Sequence, residues 1–139
     1  MSLSETQRQF AFTLATLLER IHLTDSFSCT LGEGWRTDVQ AELNALPHET
    51  RVKVSSLIAD LAPGLAHAIA ADTGAGIAHS VHRLRLAQDL NLFKDGQYVT
   101  DPEVYRPFGE WWKKQHPLAR WGGDFGDYDH FSFEYGGVK

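Results

Sequence analysis

The chain begins with apolar residues at helical spacing. Phe10, Leu14, Leu17, Leu18 and Ile21 predict an amphipathic helix over about 4–22, and Ser4 with Gln7 has the form of a capping box at its start. From Ser26 the period changes to two, with Phe27, Cys29 and Leu31 on one face and Ser28, Thr30 and Gly32 on the other. This alternation predicts a half-buried strand ending near Gly32–Gly34. Thr37 with Gln40 opens a short helix carrying Val39, Leu43 and Leu46. A second helical pattern through Val54, Leu57, Ile58 and Leu61 breaks at Pro63-Gly64 and resumes briefly through Ala71, before the loop chemistry of Asp72-Thr73-Gly74-Ala75-Gly76. Residues 44–76 therefore read as a helical insertion in a single domain spanning 1–139.

Alternation returns from Leu84. Leu84, Leu86, Leu90 and Leu92 point one way, Arg85, Ala87, Asp89 and Asn91 the other, and Lys94-Asp95-Gly96-Gln97 is a hairpin turn. Asp101 caps a helix with Pro102 at its first position, running through Trp111 and Trp112 to Pro117. A glycine- and aspartate-rich loop over 121–130 feeds a last strand, in which Phe131, Phe133 and Tyr135 alternate with His130, Ser132 and Glu134. Helices and strands in this order, with hairpin-type connections, predict an α+β fold with a small antiparallel sheet.

Composition narrows the class. The 139 residues hold 42% hydrophobic and 12% aromatic side chains, enough for a core without staples. Thirteen Lys and Arg against 18 Asp and Glu give a net charge of -5, so no basic face for a nucleic acid is expected. Cys29 is the sole cysteine, which excludes an intramolecular disulfide and makes it a small core residue. No apolar run approaches a membrane span, and no membrane insertion is expected. The first residues, Met1-Ser2-Leu3-Ser4-Glu5, form neither a basic n-region nor an apolar h-region, so no secretion signal is expected.

The polar faces of the two C-terminal strands carry metal-ligand types, Asp89 on one and His130 on the other. If the strands are neighbours, both side chains enter one groove. His82 lies seven residues before Asp89 and joins them only if the chain turns around Arg83. A His/Asp/His set supplies the three N/O ligands of a catalytic zinc, leaving one position open. Residue counting alone favours the plainer reading, a surface aspartate and a satisfied strand histidine.

Longer motifs add to this reading. Ser80-Val81-His82-Arg83-Leu84-Arg85-Leu86-Ala87-Gln88-Asp89 resembles the S-x-H-x-x-G-x-A-x-D signature of the D-Ala-D-Ala/VanY-type zinc peptidases, with Arg85 in the place of the glycine. The likeness is greatest to their phage L-alanyl-D-glutamate endopeptidase (endolysin) branch. It continues through Tyr105-Arg106-Pro107-Phe108-Gly109-Glu110-Trp111-Trp112 and Trp121-Gly122-Gly123-Asp124-Phe125, and ends in Asp127-Tyr128-Asp129-His130-Phe131, similar to a D-x-x-H-F element. Thr30 to Thr37 is similar to the upstream strand and its arginine.

The resemblance implies a hedgehog/D-Ala-D-Ala peptidase-like fold with one zinc in a groove on the sheet, held by His82, Asp89 and His130. It makes Asp127 the general base and Arg36 the stabiliser of an oxyanion or a substrate carboxylate. The D-x-x-H spacing selects Asp127 over Asp129 as the base, and the Ser-x-His frame selects His82 over His79. Ser80 and Trp121 would contact substrate. The implied activity is zinc-dependent cleavage of the peptidoglycan stem peptide, with a D-alanyl-D-alanine carboxypeptidase or an inactive zinc-containing wall-binding module as the alternatives. The protein would act as a monomer, collecting in the host cytoplasm until a holin gives it access to the wall. An acidic chain gains little general attraction from an anionic wall, so recognition is expected from the cleft.

Overall fold

Helix α1 (Leu3–Leu23) is capped by Ser2, two residues before the expected cap. Ser2 Oγ accepts the Glu5 amide at 3.3 Å, while the Ser2 amide donates to Glu5 Oε2 at 2.7 Å. Ser2 and Glu5 therefore form the capping box assigned from sequence to Ser4 and Gln7. The predicted face is right: Phe10, Leu17 and Ile21 are buried, and Leu14 and Leu18 pack against them.

The computed structural model describes residues 1–35, 37, 45–64, 67 and 80–139. They belong to two compact units, one of Met1–Trp35 with Val81–Lys139 and one of Arg36–Ser80. In the second unit, helix α2 (His48–Ile58) carries the expected helical pattern, with Leu57 and Leu61 exposed. Most of the helix expected over 37–46, the continuation to Ala71 and the 72–76 loop lie outside the described residues.

The first unit is α+β and holds the sheet. Strand β1 (Phe27–Leu31) pairs with β2 (Ala87–Lys94), which turns through Asp95-Gly96 into the short β3 (Gln97–Tyr98). Helix α3 (Pro102–Lys113) follows, then β4 (Ala119–Trp121) and β5 (His130–Phe133). The strand order is β1-β2-β5-β4, every pairing is antiparallel, and β3 pairs with β2. Strand β2 is the spine: Leu90–Lys94 pair with β1 and Ala87–Asp89 with β5. Asp95 (φ 51°) and Gly96 (φ 75°) make the left-handed turn that suits a two-residue hairpin. Strand β4, which runs into the start of the expected glycine-rich loop at Trp121, is an addition to the sequence reading.

Helix α3 begins as expected, with Asp101 Oδ1 accepting the Glu103 amide at 2.9 Å and Pro102 in the first turn. Its Tyr105 hydroxyl accepts the Leu92 amide at 3.0 Å, tying the helix to β2. Trp112 meets Phe10, Phe131 and Phe133, and its Nε1 donates to the carbonyls of Arg120 and Ser132. These aromatic contacts join α1, α3 and β5 into one core, in offset and edge geometries that favour the ring quadrupoles. Cys29 is half-buried with Sγ 3.7 Å from His22 Nε2, and burial pushes its thiol pKa up. No described helix is long and apolar enough to cross a membrane.

Candidate metal centre

Two ligand types arrive on neighbouring strands. In the β2–β5 ladder Asp89 stands directly opposite His130. The β1 chain continues along the other side of β2, with Gly32 N donating to Asp89 O at 2.7 Å and Asp89 N to Glu33 O at 2.8 Å. The Asp89 backbone is thus held from both sides, and its side chain points where His130 points.

His82 arrives from a turn. The chain coils into a 3-10 turn over Val81–Leu84, Arg85 takes φ 55°, and the strand resumes at Ala87. The sequence required a turn near Arg83, and the structure places it at 81–85. The left-handed residue is Arg85, the position where the resembling signature has glycine. Glycine adopts that conformation freely, whereas a residue with a Cβ is destabilised there by about 1 kcal/mol.

His82 Nε2, His130 Nδ1 and Asp89 Oδ1 form a triangle with edges of 3.1 Å between the nitrogens, 3.3 Å from His82 to Asp89 and 3.1 Å from His130 to Asp89. Protons alone leave such a triangle incomplete. A ring nitrogen carries either a proton or a lone pair, so at most two of the three edges are hydrogen bonds at once. A cation shared by three lone pairs satisfies every edge. Zinc with nitrogen and oxygen ligands at about 2.0–2.1 Å in tetrahedral array separates neighbouring ligand atoms by roughly 3.3–3.4 Å. The observed edges match this within a few tenths of an ångström, and the donor set suits zinc in both type and number. Both histidines are buried, whereas the Asp89 side chain is 22% exposed, so the group opens to solvent on the aspartate side. Burial works to raise the Asp89 pKa, but hydrogen bonds and charge from His130 and His82 outweigh it and hold it at about 2.

The loop before His130 folds back on itself. Asp127 and Phe125 amides both donate to Gly122 O, and the His130 amide donates to Asp127 O at 3.1 Å. A Cβ on Gly122 would overlap the Asp127 carbonyl, so this close approach needs glycine. Asp127 is exposed, and its carboxyl hydrogen-bonds with that of Asp129. Asp129 is half-buried, and its pKa is pushed up to about 6 by burial first, then by Asp127 and the Asp89 charge. The fold brings the Asp127 and Asp129 carboxyls together just before the ligand His130.

The remaining expected residues have different places. Trp121 is 1% exposed, packed against Gly109 and Gly123 with Nε1 donating to Tyr128 O at 2.8 Å. It holds the loop from within the core rather than lining a cleft. Ser80 is partly buried just ahead of the His82 turn. Arg36 and His79 lie outside the described residues. The pairing of Arg85 with Trp35, its guanidinium carbon 5.3 Å from the ring centroid, is absent from the sequence reading. A non-glycine residue at a glycine position was the one signal of it.

No family model matches the sequence, and no curated protein matches it. Among solved structures, the chain is similar to a mutant of the vancomycin resistance D,D-pentapeptidase VanY from the VanB-type resistance cassette, in complex with Zn(II). The two are 20% identical, the likeness covers 90% of this chain and 70% of that one, and the TM-score is 0.46. A likeness of that size carries no conclusion about chemistry, which rests on the residues above.

Proposed function

We propose that the protein is a zinc-dependent hydrolase of the peptidoglycan stem peptide, of the L-alanyl-D-glutamate endopeptidase type. The observation that carries this reading is the His82/Asp89/His130 triangle, whose three contacts a shared cation completes. The motif resemblance supplies the substrate class. When bound, zinc lowers the pKa of a water from 15.7 to about 7 and polarises the carbonyl under attack.

The chain's own groups do the rest. The Asp127 carboxylate accepts the proton of the attacking water and returns it to the leaving amine. Asp129, hydrogen-bonded to Asp127, is its proton-sharing neighbour. Arg36 would stabilise the oxyanion with its planar fork, and Ser80 would orient the substrate backbone. Trp121 acts from beneath, by fixing the loop that carries Asp127. As an endolysin the protein reaches the wall after holin-type release from the host cytoplasm.

Digestion of purified peptidoglycan with and without a chelator, followed by mass spectrometry of the muropeptides, tests the reading. A chelator-sensitive cut that frees the amine of D-glutamate is the expected result. Loss of a terminal D-alanine instead identifies a carboxypeptidase, and wall binding with one zinc and no turnover identifies a binding module. No new amine, or release unaffected by the chelator and by Asp127→Ala, rejects the hydrolase.

A further inference from the structure

Arg85 is three residues after His82 and four before Asp89, in a left-handed backbone conformation at φ 55°. Such outliers persist where the surrounding structure fixes them, and they cluster at functional sites. Its side chain is exposed and lies over the Trp35 ring, itself 53% exposed. The hydrogen bonds that run β1 on past Gly32 and Glu33 bring Trp35 back along β2 toward this turn. Among the described residues Arg85 has no ion pair, unlike Arg106, which is bound to Glu103, or Arg120, which is bound to Glu134. A guanidinium held over an aromatic ring by a cation–π contact keeps N–H groups available, and the contact limits the rotamer freedom lost on binding.

The charge around it gives that edge a purpose. The ligand Asp89 and the Asp127–Asp129 pair put three carboxyl groups at the centre of a chain whose net charge is -5. An acidic peptide approaching this region needs a local cation, and Arg85 closes the turn that carries the ligand His82, with no partner carboxylate among the described residues. We propose that Arg85, seated on Trp35, is a substrate-binding residue that receives a free carboxylate of the peptide at the rim of the metal centre. This rests on the reading of the site as a stem-peptide hydrolase and names an acidic peptide as its preferred substrate.

Two synthetic peptides test it, N-acetyl-L-alanyl-γ-D-glutamyl-L-lysine with the glutamate α-carboxylate free and the same peptide with that group amidated. Calorimetric binding to the zinc-loaded protein is expected to favour the free acid by about tenfold, the scale of one charge-assisted hydrogen bond at an exposed site. Arg85→Gln and Arg85→Gly should both abolish that preference. Glycine suits the backbone conformation, so the second variant separates loss of the side chain from misfolding. If the peptides are cut, the loss falls on KM for the acid rather than on kcat, and Trp35→Ala shows a smaller loss in the same direction. A preference that survives in the Arg85 variants, an equal loss for both peptides, or no preference in the unaltered protein overturns the proposal. Absence of cleavage by the unaltered protein counts against the hydrolase reading, while the binding comparison still decides the subsite.

Discussion

The metal centre is assembled by two arms of unlike construction. Asp89 and His130 face each other across an antiparallel ladder that is hydrogen-bonded on both sides of β2. His82 stands on a 3-10 turn closed by a left-handed arginine, with hydrogen bonds from Arg85 N to His82 O, from Leu86 N to Val81 O and from Gln7 Nε2 to Leu84 O. A ladder sets the separation of its side chains by strand geometry, whatever occupies the site. A turn has no such ladder beneath it and relies on its local bonds, its packing and the ion it helps to hold. The comparison teaches that the ladder is the fixed half of the site and the turn the dependent half.

The largest expected effect comes from removing a ligand of either arm. His82→Ala and Asp89→Ala should each lower stem-peptide hydrolysis on the order of 10³-fold or more. Metal analysis of the purified variants would show whether zinc is lost in parallel, and a His82→Ala protein with full zinc and activity would break the symmetry of the two arms. Asp127→Asn should cost roughly 10²-fold or more in kcat with zinc content unchanged, as expected for a general base. In the metal-free protein the same substitution should move the Asp129 titration, seen by carboxyl carbon NMR, down from about 6, because Asp127 is one of the groups raising it. The sign for stability follows. A carboxyl raised from 3.8 to about 6 in the folded state favours folding fully below pH 4, and that contribution is lost as the pH rises through 6.

A smaller effect separates the arms directly. Zinc removal should speed hydrogen exchange at the Arg85 and Leu86 amides about tenfold, and leave the Leu90 and Phe133 amides of the ladder unchanged. Uniform acceleration would show that both arms depend on the metal. The smallest effect concerns position 85 alone. Arg85→Gly should be more stable than Arg85→Ala by about 0.5–1 kcal/mol in chemical denaturation, the reverse of the usual order within helices and strands, because glycine avoids the left-handed cost.

The same division governs what the sequence disclosed. The ladder arm was legible because its signal is periodic: Leu86, Leu90 and Leu92 on one side of β2 fix Asp89 on the other, and Phe131 and Phe133 do the same beside His130. The caps of α3 and the Asp95-Gly96 turn were legible from local chemistry. The turn arm was legible only as a requirement, since no periodicity states which residue takes φ > 0, and an arginine conceals it. The environment of Asp129 was not legible, because spacing counts residues along the chain, whereas its raised pKa comes from burial and from charges brought near by folding. Trp121, expected to contact substrate, is instead buried, because Gly109 and Gly123 leave the space in which its ring packs. Leu31 continues the apolar alternation of β1 but is 61% exposed, at the strand end where the core stops.

The central claim is that three side chains from two arms hold one metal ion. Calorimetric titration of the metal-free protein with zinc tests it most directly. One equivalent should bind tightly, and tight binding should vanish in Asp89→Ala, His82→Ala and His130→Ala alike. Absence of binding in the unaltered protein, or tight binding that persists in any of the three variants, would contradict the account.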